Sequence, residues 1–246
     1  MKNLILKTLN LKLSFNKSIM KHTFLLLLFF GSAITSFTQN FGAGVVDIDS
    51  NKYASIIIGK QEWMVQNLRV TQFNDGTPIN KRSDHGQWET LAAPAWCWYE
   101  NDSARYDSIH GKLYNYFTVA DTNMKNICPE GWHIPSEIEW TTITNYLSSN
   151  GFDKKQGLAL KSNTTWEEYN GKAGGGTDDY GFKGTAGGYR FSNGSFYYID
   201  YNGFWWSATD NSRRYAYSRK LLAGYDLLYN SISSKSYGFS VRCIKD

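Results

Sequence analysis

Cys128-Pro129-Glu130-Gly131-Trp132-His133-Ile134-Pro135-Ser136, with Glu139 and Trp140 close behind, is the stretch whose reading decides the fold. Pro129 and Gly131 supply turn chemistry, and Trp132 brings a large apolar side chain to bury. Ser136 and Glu139 fit the S-x-x-E capping box, with Pro135 and Trp140 at the flanking staple positions. A helix over residues 137–149 is therefore expected, presenting Trp140, Ile143 and Leu147 on one face and meeting Gly151 at its end. This segment specifies architecture and hardly any chemistry.

Its cysteine leads outward. The chain holds three, Cys97, Cys128 and Cys243. An odd count in an exported chain means one pair and one leftover, or pairing between chains. No C-x-x-C or histidine pair accompanies them, which excludes a zinc cluster. The expected bond is Cys128–Cys243, tying the opening motif to the C-terminal segment. Cys97, between Trp96 and Trp98, then reads as a buried free thiol rather than a nucleophile.

Residues 1–39 read as a signal peptide and leader. The apolar run over residues 24–34 is shorter than the about 20 residues that span a bilayer. It has the size of a signal-peptide core, preceded by Lys21 and followed by small and polar residues, with Met20 as a second candidate start. Cleavage is expected between Thr35 and Asn40, leaving a mature chain with no transmembrane segment. The expected location is outside the cytoplasm: extracellular, on the cell surface or in the periplasm.

The leader also carries the charge. Its five lysines account for more than the formal +4, so the remainder stands at −1. That excludes the clustered basic face of a nucleic-acid binder. About 205 residues remain, enough for one well-buried domain over residues 40–246. With 17 Tyr and 9 Trp, the side chains available for the core and surface combine apolar area with a polar tip.

Along that domain, residues 53–59 and 62–65 read as a hairpin around Gly59. Residues 79–94 read as loop, 95–100 as a strand and 101–108 as a polar connection. Leu113, Tyr116, Phe117 and Ala120 recur at helical spacing, which predicts a first helix over 112–120. A short turn or helix is expected over 154–160, then glycine-rich loops over 171–188. Short strands are expected near 196–199, 204–207, 215–220 and 240–244. The expected class is α+β: two helices, short antiparallel sheets and long loops.

Several motifs in this order are familiar: Glu62-Trp-Met-Val-Gln-Asn-Leu68, Trp96-Cys-Trp-Tyr-Glu-Asn-Asp102 and Gly111-Lys-Leu-Tyr-Asn115. The opening stretch follows, then Gly176-Thr-Asp-Asp-Tyr-Gly-Phe182, Gly187-Gly-Tyr-Arg190, Trp205-Trp-Ser-Ala-Thr209 and Gly238-Phe-Ser-Val-Arg-Cys243. Together they resemble the Fibrobacter succinogenes major paralogous domain, a family abundant in exported proteins of Bacteroidetes, over residues 45–246. The resemblance implies a C-type lectin-like fold, distantly akin to formylglycine-generating enzymes, with ligands held by the long loops. It implies no particular chemistry.

The candidate ligand residues lie in those loops. Asp178 and Asp179 offer oxygen ligands to calcium, which takes six to eight, or else bond to amides of their own turn. Asp210 and Asn211 sit in a neighbouring loop. Trp205 and Trp206 occupy a strand and should face opposite ways, one into the core, while the other is either core as well or exposed as a sugar-stacking platform. No G-x-S-x-G elbow, H-E-x-x-H pair or phosphate-binding loop is present. The expected function is thus an exported, non-enzymatic binding module for a glycan or a surface protein, acting through residues 171–214. The alternatives are a structural component of an envelope assembly and an enzyme related to the formylglycine-generating branch.

Overall fold

A computed structural model describes residues 39–120 and 125–246. The expected leader, Gln39 apart, lies outside them. The described residues form fifteen short strands in four sheets, with five short α-helices. This β-rich architecture overturns the expected α+β, C-type lectin-like arrangement of two helices with short sheets.

Only one of the two expected helices is present in full. Glu137–Leu147 carries the complete capping box between Ser136 and Glu139 and buries Trp140, Ile143 and Leu147. The other splits into the strand Leu113–Tyr114 and the single-turn helix Tyr116–Val119. Asn115 is the cause. Its Oδ1 accepts the N–H of Thr118 at 3.2 Å and that of Ala95 at 3.1 Å, so it starts a new helix and docks a neighbouring strand. Tyr114 meanwhile pairs with Trp96. The apolar recurrence at 113, 116, 117 and 120 therefore comes from two elements sharing one core.

The polar connection expected over 101–108 is instead part of a helix, Ser103–His110, capped by Asp102, whose carboxylate accepts the Arg105 N–H at 3.1 Å. It buries only Tyr106 and His110, one turn apart, too few to show a period.

One five-stranded sheet runs in the order Asn40–Phe41, Ser55–Ile58, Gln61–Met64, Ile244–Lys245, Trp132–His133. Ser55–Ile58 and Gln61–Met64 form the expected hairpin, with Gly59 at φ +65° in its two-residue turn. The C-terminal strand lies between this hairpin and the opening motif, and the Cys128–Cys243 disulfide closes the same seam.

The second five-stranded sheet runs Phe196–Ile199, Gly187–Arg190, Asn202–Asp210, Tyr215–Leu222, Tyr229–Ser234. Trp205 and Trp206 stand on its central strand and do face opposite ways. Trp205 joins Trp63, Trp140 and Phe182, while Trp206 joins Tyr114, Tyr116 and Phe239. Both faces of this sheet are covered, so both indoles are buried, at 1% and 0% exposure.

Loops are held by buried cations. Lys161, Arg190 and Arg242 are all 0% exposed, and among the described residues none pairs with a carboxylate. They donate to main-chain carbonyls instead, Arg242 to the Asn67 side-chain oxygen as well. Arg190 reaches those of Gly194, Arg82, Ser83 and Asp84 at 2.5–3.1 Å, under the ring of Trp88. A charged donor to a carbonyl is worth more than a neutral one, so three side chains can fix many loop ends.

Burial also makes the fold sensitive to acid. His110 is buried, and desolvation pushes its pKa down to about 4 from the ordinary 6.5. The unfolded chain binds a proton there at a higher pH than the folded one does. Stability should therefore be full above pH 6.5 and fall as pH drops towards 4, by about 3 kcal/mol in total. Urea midpoints of the native protein and of His110→Asn across this range check it. The variant should lose that slope, and the difference isolates His110 from His133, whose shift has the opposite sign.

Candidate functional site

The expected ligand residues do not gather. Asp178 takes φ +49° and its Oδ1 accepts the Lys183 N–H at 2.7 Å. Its carbonyl accepts the Gly181 N–H at 3.0 Å and Nε2 of Gln39 at 3.1 Å. Burial pushes its carboxyl up to about 6, against the pull of the Lys183 amide and Arg242. Asp179 accepts the Thr177 hydroxyl in the same turn. Both carboxylates thus serve their own turn. Among the described residues no group of three or more His, Cys, Asp and Glu is placed to hold a metal. Calcium finds no ready-made acidic cage here.

Asp210 and Asn211 stand at the far end of the nine-residue strand from Asn202, roughly 25 Å along it. Asp210 pairs with Lys235 at 2.7 Å, and the Asn211 N–H goes to the Tyr215 carbonyl. Of the two readings of the tryptophan pair, the covered sheet leaves the core one and removes the exposed platform: Trp205 donates to Asn67 Oδ1 and Trp206 to the Tyr114 carbonyl, each at 2.8 Å, inside the core. Cys97 is buried, and desolvation pushes its thiol up to about 11, which leaves it protonated and shut from solvent.

What the fold does assemble is a groove of about 470 Å³ at the other end of that strand. Tyr169, Tyr198, Tyr201 and Tyr225 line it, with Asn202, Leu222 and Ala223. The four tyrosines are 39–57% exposed. Tyr169 meets Tyr201 edge-on at 6.5 Å and Tyr225 at 6.2 Å. No lining side chain is charged.

The backbone beneath is tightly specified. Tyr198 and Asp200 both take left-handed φ values, +61° and +63°, unusual for non-glycine residues and most of all for a bulky one. The turn is held by Asp200 N–H to Ala186 O, Glu167 N–H to Asp200 O and Ala223 N–H to Tyr201 O, all at 2.8–2.9 Å. Below it, the Lys161 ammonium donates to the carbonyls of Gly174, Leu222 and Tyr225 at 2.8–3.2 Å, joining the glycine-rich loop to the turn over 222–225. Gly174 is required by contact: a Cβ there would lie 1.8 Å from the Glu167 carbonyl oxygen. Gly174 therefore packs tightly against Glu167 and against Ala223 of the groove's wall. Sequence reasoning missed this site because its four tyrosines are scattered and share no spacing; only the high tyrosine count pointed to such a surface.

A second cavity, of about 610 Å³, contains His133 and Glu139. His133 Nε2 lies 2.8 Å from Glu139 Oε1, and Nδ1 lies 2.6 Å from Asp246 Oδ1. Burial pulls its pKa down, but the hydrogen bonds to Asp246 and Glu139 outweigh this and raise it. The Ser136 hydroxyl is turned to Glu139 Oε2 at 2.8 Å. With both ring nitrogens held by carboxylates, His133 clamps the C-terminal strand to the helix cap and has no free nitrogen for base catalysis.

Among the described residues no helix is long and apolar enough to cross a membrane. A family model described as the Fibrobacter succinogenes major domain matches residues 56–245. No curated protein and no solved structure matches the chain.

Proposed function

The chain belongs to the Fibrobacter succinogenes major domain family, and on that scaffold we propose an exported, non-enzymatic module that binds a glycan in the tyrosine groove. The observation that carries this reading is the set of four half-exposed tyrosine rings, mounted on a pinned backbone around an uncharged groove. An aromatic face suits the C–H face of a pyranose, while the phenol rims and the Asn202 amide can reach its hydroxyls. Rings already held in place lose little freedom on binding. The absence of charge disfavours phosphate or carboxylate ligands, which call for Arg or Lys. Export is supported by the apolar run over residues 24–34 and by the Cys128–Cys243 bond, since disulfides persist in oxidising compartments.

A glycan array followed by titration calorimetry tests it. Tyr169→Ala and Tyr225→Ala should each weaken binding by about tenfold, a loss of roughly 1–1.5 kcal/mol, with the thermal midpoint little changed. Chelating calcium should leave binding unaltered, because Asp178 and Asp179 are engaged in their own turn. Failure to bind any glycan would remove this reading and favour a protein partner.

A further inference from the structure

We infer that the groove is one end of a longer aromatic track, and that the chain takes an internal stretch of a linear, uncharged polysaccharide rather than one terminal sugar. This rests on the glycan reading of the groove and extends it. Tyr198 joins the two parts. It lines the groove and also stacks on Tyr189, with centroids 6.1 Å apart and planes 17° apart. Tyr197 lies 6.3 Å from it, and Tyr189 continues to Tyr237 at 5.6 Å and Phe191 at 6.4 Å. Tyr197 and Tyr198 are 41% and 57% exposed, so the row reaches solvent where the groove runs out.

The row is anchored from within. Tyr189 meets Phe204 edge-on at 5.0 Å, Phe204 stacks on Phe239 at 4.9 Å and 16°, and Phe239 packs on the buried Trp206 at 4.5 Å. Surface rings mounted on a core column are pre-organised, which limits the ordering that binding would otherwise require. Their chemistry is uniform: ring faces with phenol rims and, like the groove, no charged side chain among them. The buried cations beside it have their donors engaged: Lys161 beneath the groove by three carbonyls, and Arg190, between Tyr189 and Phe191 in the chain, by four. A repeated apolar face with hydroxyls at its edges is what a chain of neutral pyranoses presents. A pocket for a single end residue needs no row continuing past it.

Calorimetric titration with disaccharides and with long fragments of the same linkage tests this. The probes are neutral β-glucan, α-glucan, xylan and mannan, with polygalacturonate as the acidic comparison. For the linkage that binds, the long fragment should bind about tenfold more tightly than the disaccharide, after correction for the number of binding frames. Tyr197→Ala should lower long-fragment affinity more than disaccharide affinity, and Tyr197→Phe should restore most of it. Ile138→Ser, 78% exposed on the Glu137–Leu147 helix, should change neither. Equal affinity for both lengths, with Tyr169→Ala and Tyr225→Ala still weakening binding, overturns the track and leaves the groove standing. Binding of polygalacturonate alone overturns the neutral-polymer assignment. Binding of no glycan removes the groove reading and the track with it.

Discussion

Replacing Arg242 with alanine is expected to destabilise the domain by about 3–5 kcal/mol, through the acceptors left unpaired and the cavity left behind. The guanidinium is fully buried over the Phe182 ring at 4.1 Å. It donates to Asn67 Oδ1 through both Nε and Nη2, at 3.3 and 2.8 Å, and to the carbonyls of Phe182 and Lys183. The same Asn67 oxygen accepts from Trp205, and its amide donates to His110 O and Ser240 Oγ. One residue from each of three sequence motifs, Asn67, Trp205 and Arg242, thus meets in a single buried network. Arg242→Met should lose less than alanine, because it refills the volume while leaving the acceptors unpaired. Arg242→Lys should not rescue, since one ammonium cannot reproduce the planar fork. Urea denaturation at constant m-value measures these losses, and an alanine variant within about 1 kcal/mol of native would refute the account. A second readout is Asp178. Arg242 opposes the burial that raises its carboxyl, so Arg242→Met should drive the Asp178 pKa further up, visible by NMR titration.

The parts of this fold legible in sequence are those whose signals are local. The capping box, the Gly59 hairpin and the Glu137–Leu147 helix each lie within a dozen residues of their own cues. Family membership followed from ordered motifs, yet those motifs encode buried staples and say little about ligands. Lys and Arg are surface residues on average, so nothing local marks Lys161, Arg190 and Arg242 as buried. Trp205 and Trp206 illustrate a different limit. Strand alternation placed them on opposite faces, but only the tertiary structure could show that both faces are covered. Asn115 did the same to the expected first helix, where one side chain turned a helical spacing into a strand and a cap. The groove depends on residues from 169 to 225 brought together by left-handed turns and a buried lysine, none of which has a local signature.

Removing the Cys128–Cys243 bond, as the double change to alanine, is expected to cost roughly 4–5 kcal/mol in the chain-entropy account of a long closed loop. The two cysteines are 115 residues apart, so the bond restricts most of the unfolded domain. In the folded state it adds little that neighbouring contacts do not already supply. Ile244 pairs with His133 and Trp63, the Met64 N–H meets the Cys243 carbonyl at 3.0 Å, and Asp246 bonds to His133. The loss should therefore appear through a more expanded unfolded chain, with a larger m-value and a lower urea midpoint. Folded domains hold about 5–15 kcal/mol in all, so such a loss leaves the reduced chain near its unfolding threshold. Cys97→Ala in the native background should change stability far less and remove mispairing during reoxidation, because that thiol is in no disulfide. Yield should then depend on an oxidising compartment, which links this bond to the proposed export. If the double variant loses less than about 1 kcal/mol, the unfolded chain is already held compact by other means, and the bond gives no reason to place folding outside the cytoplasm.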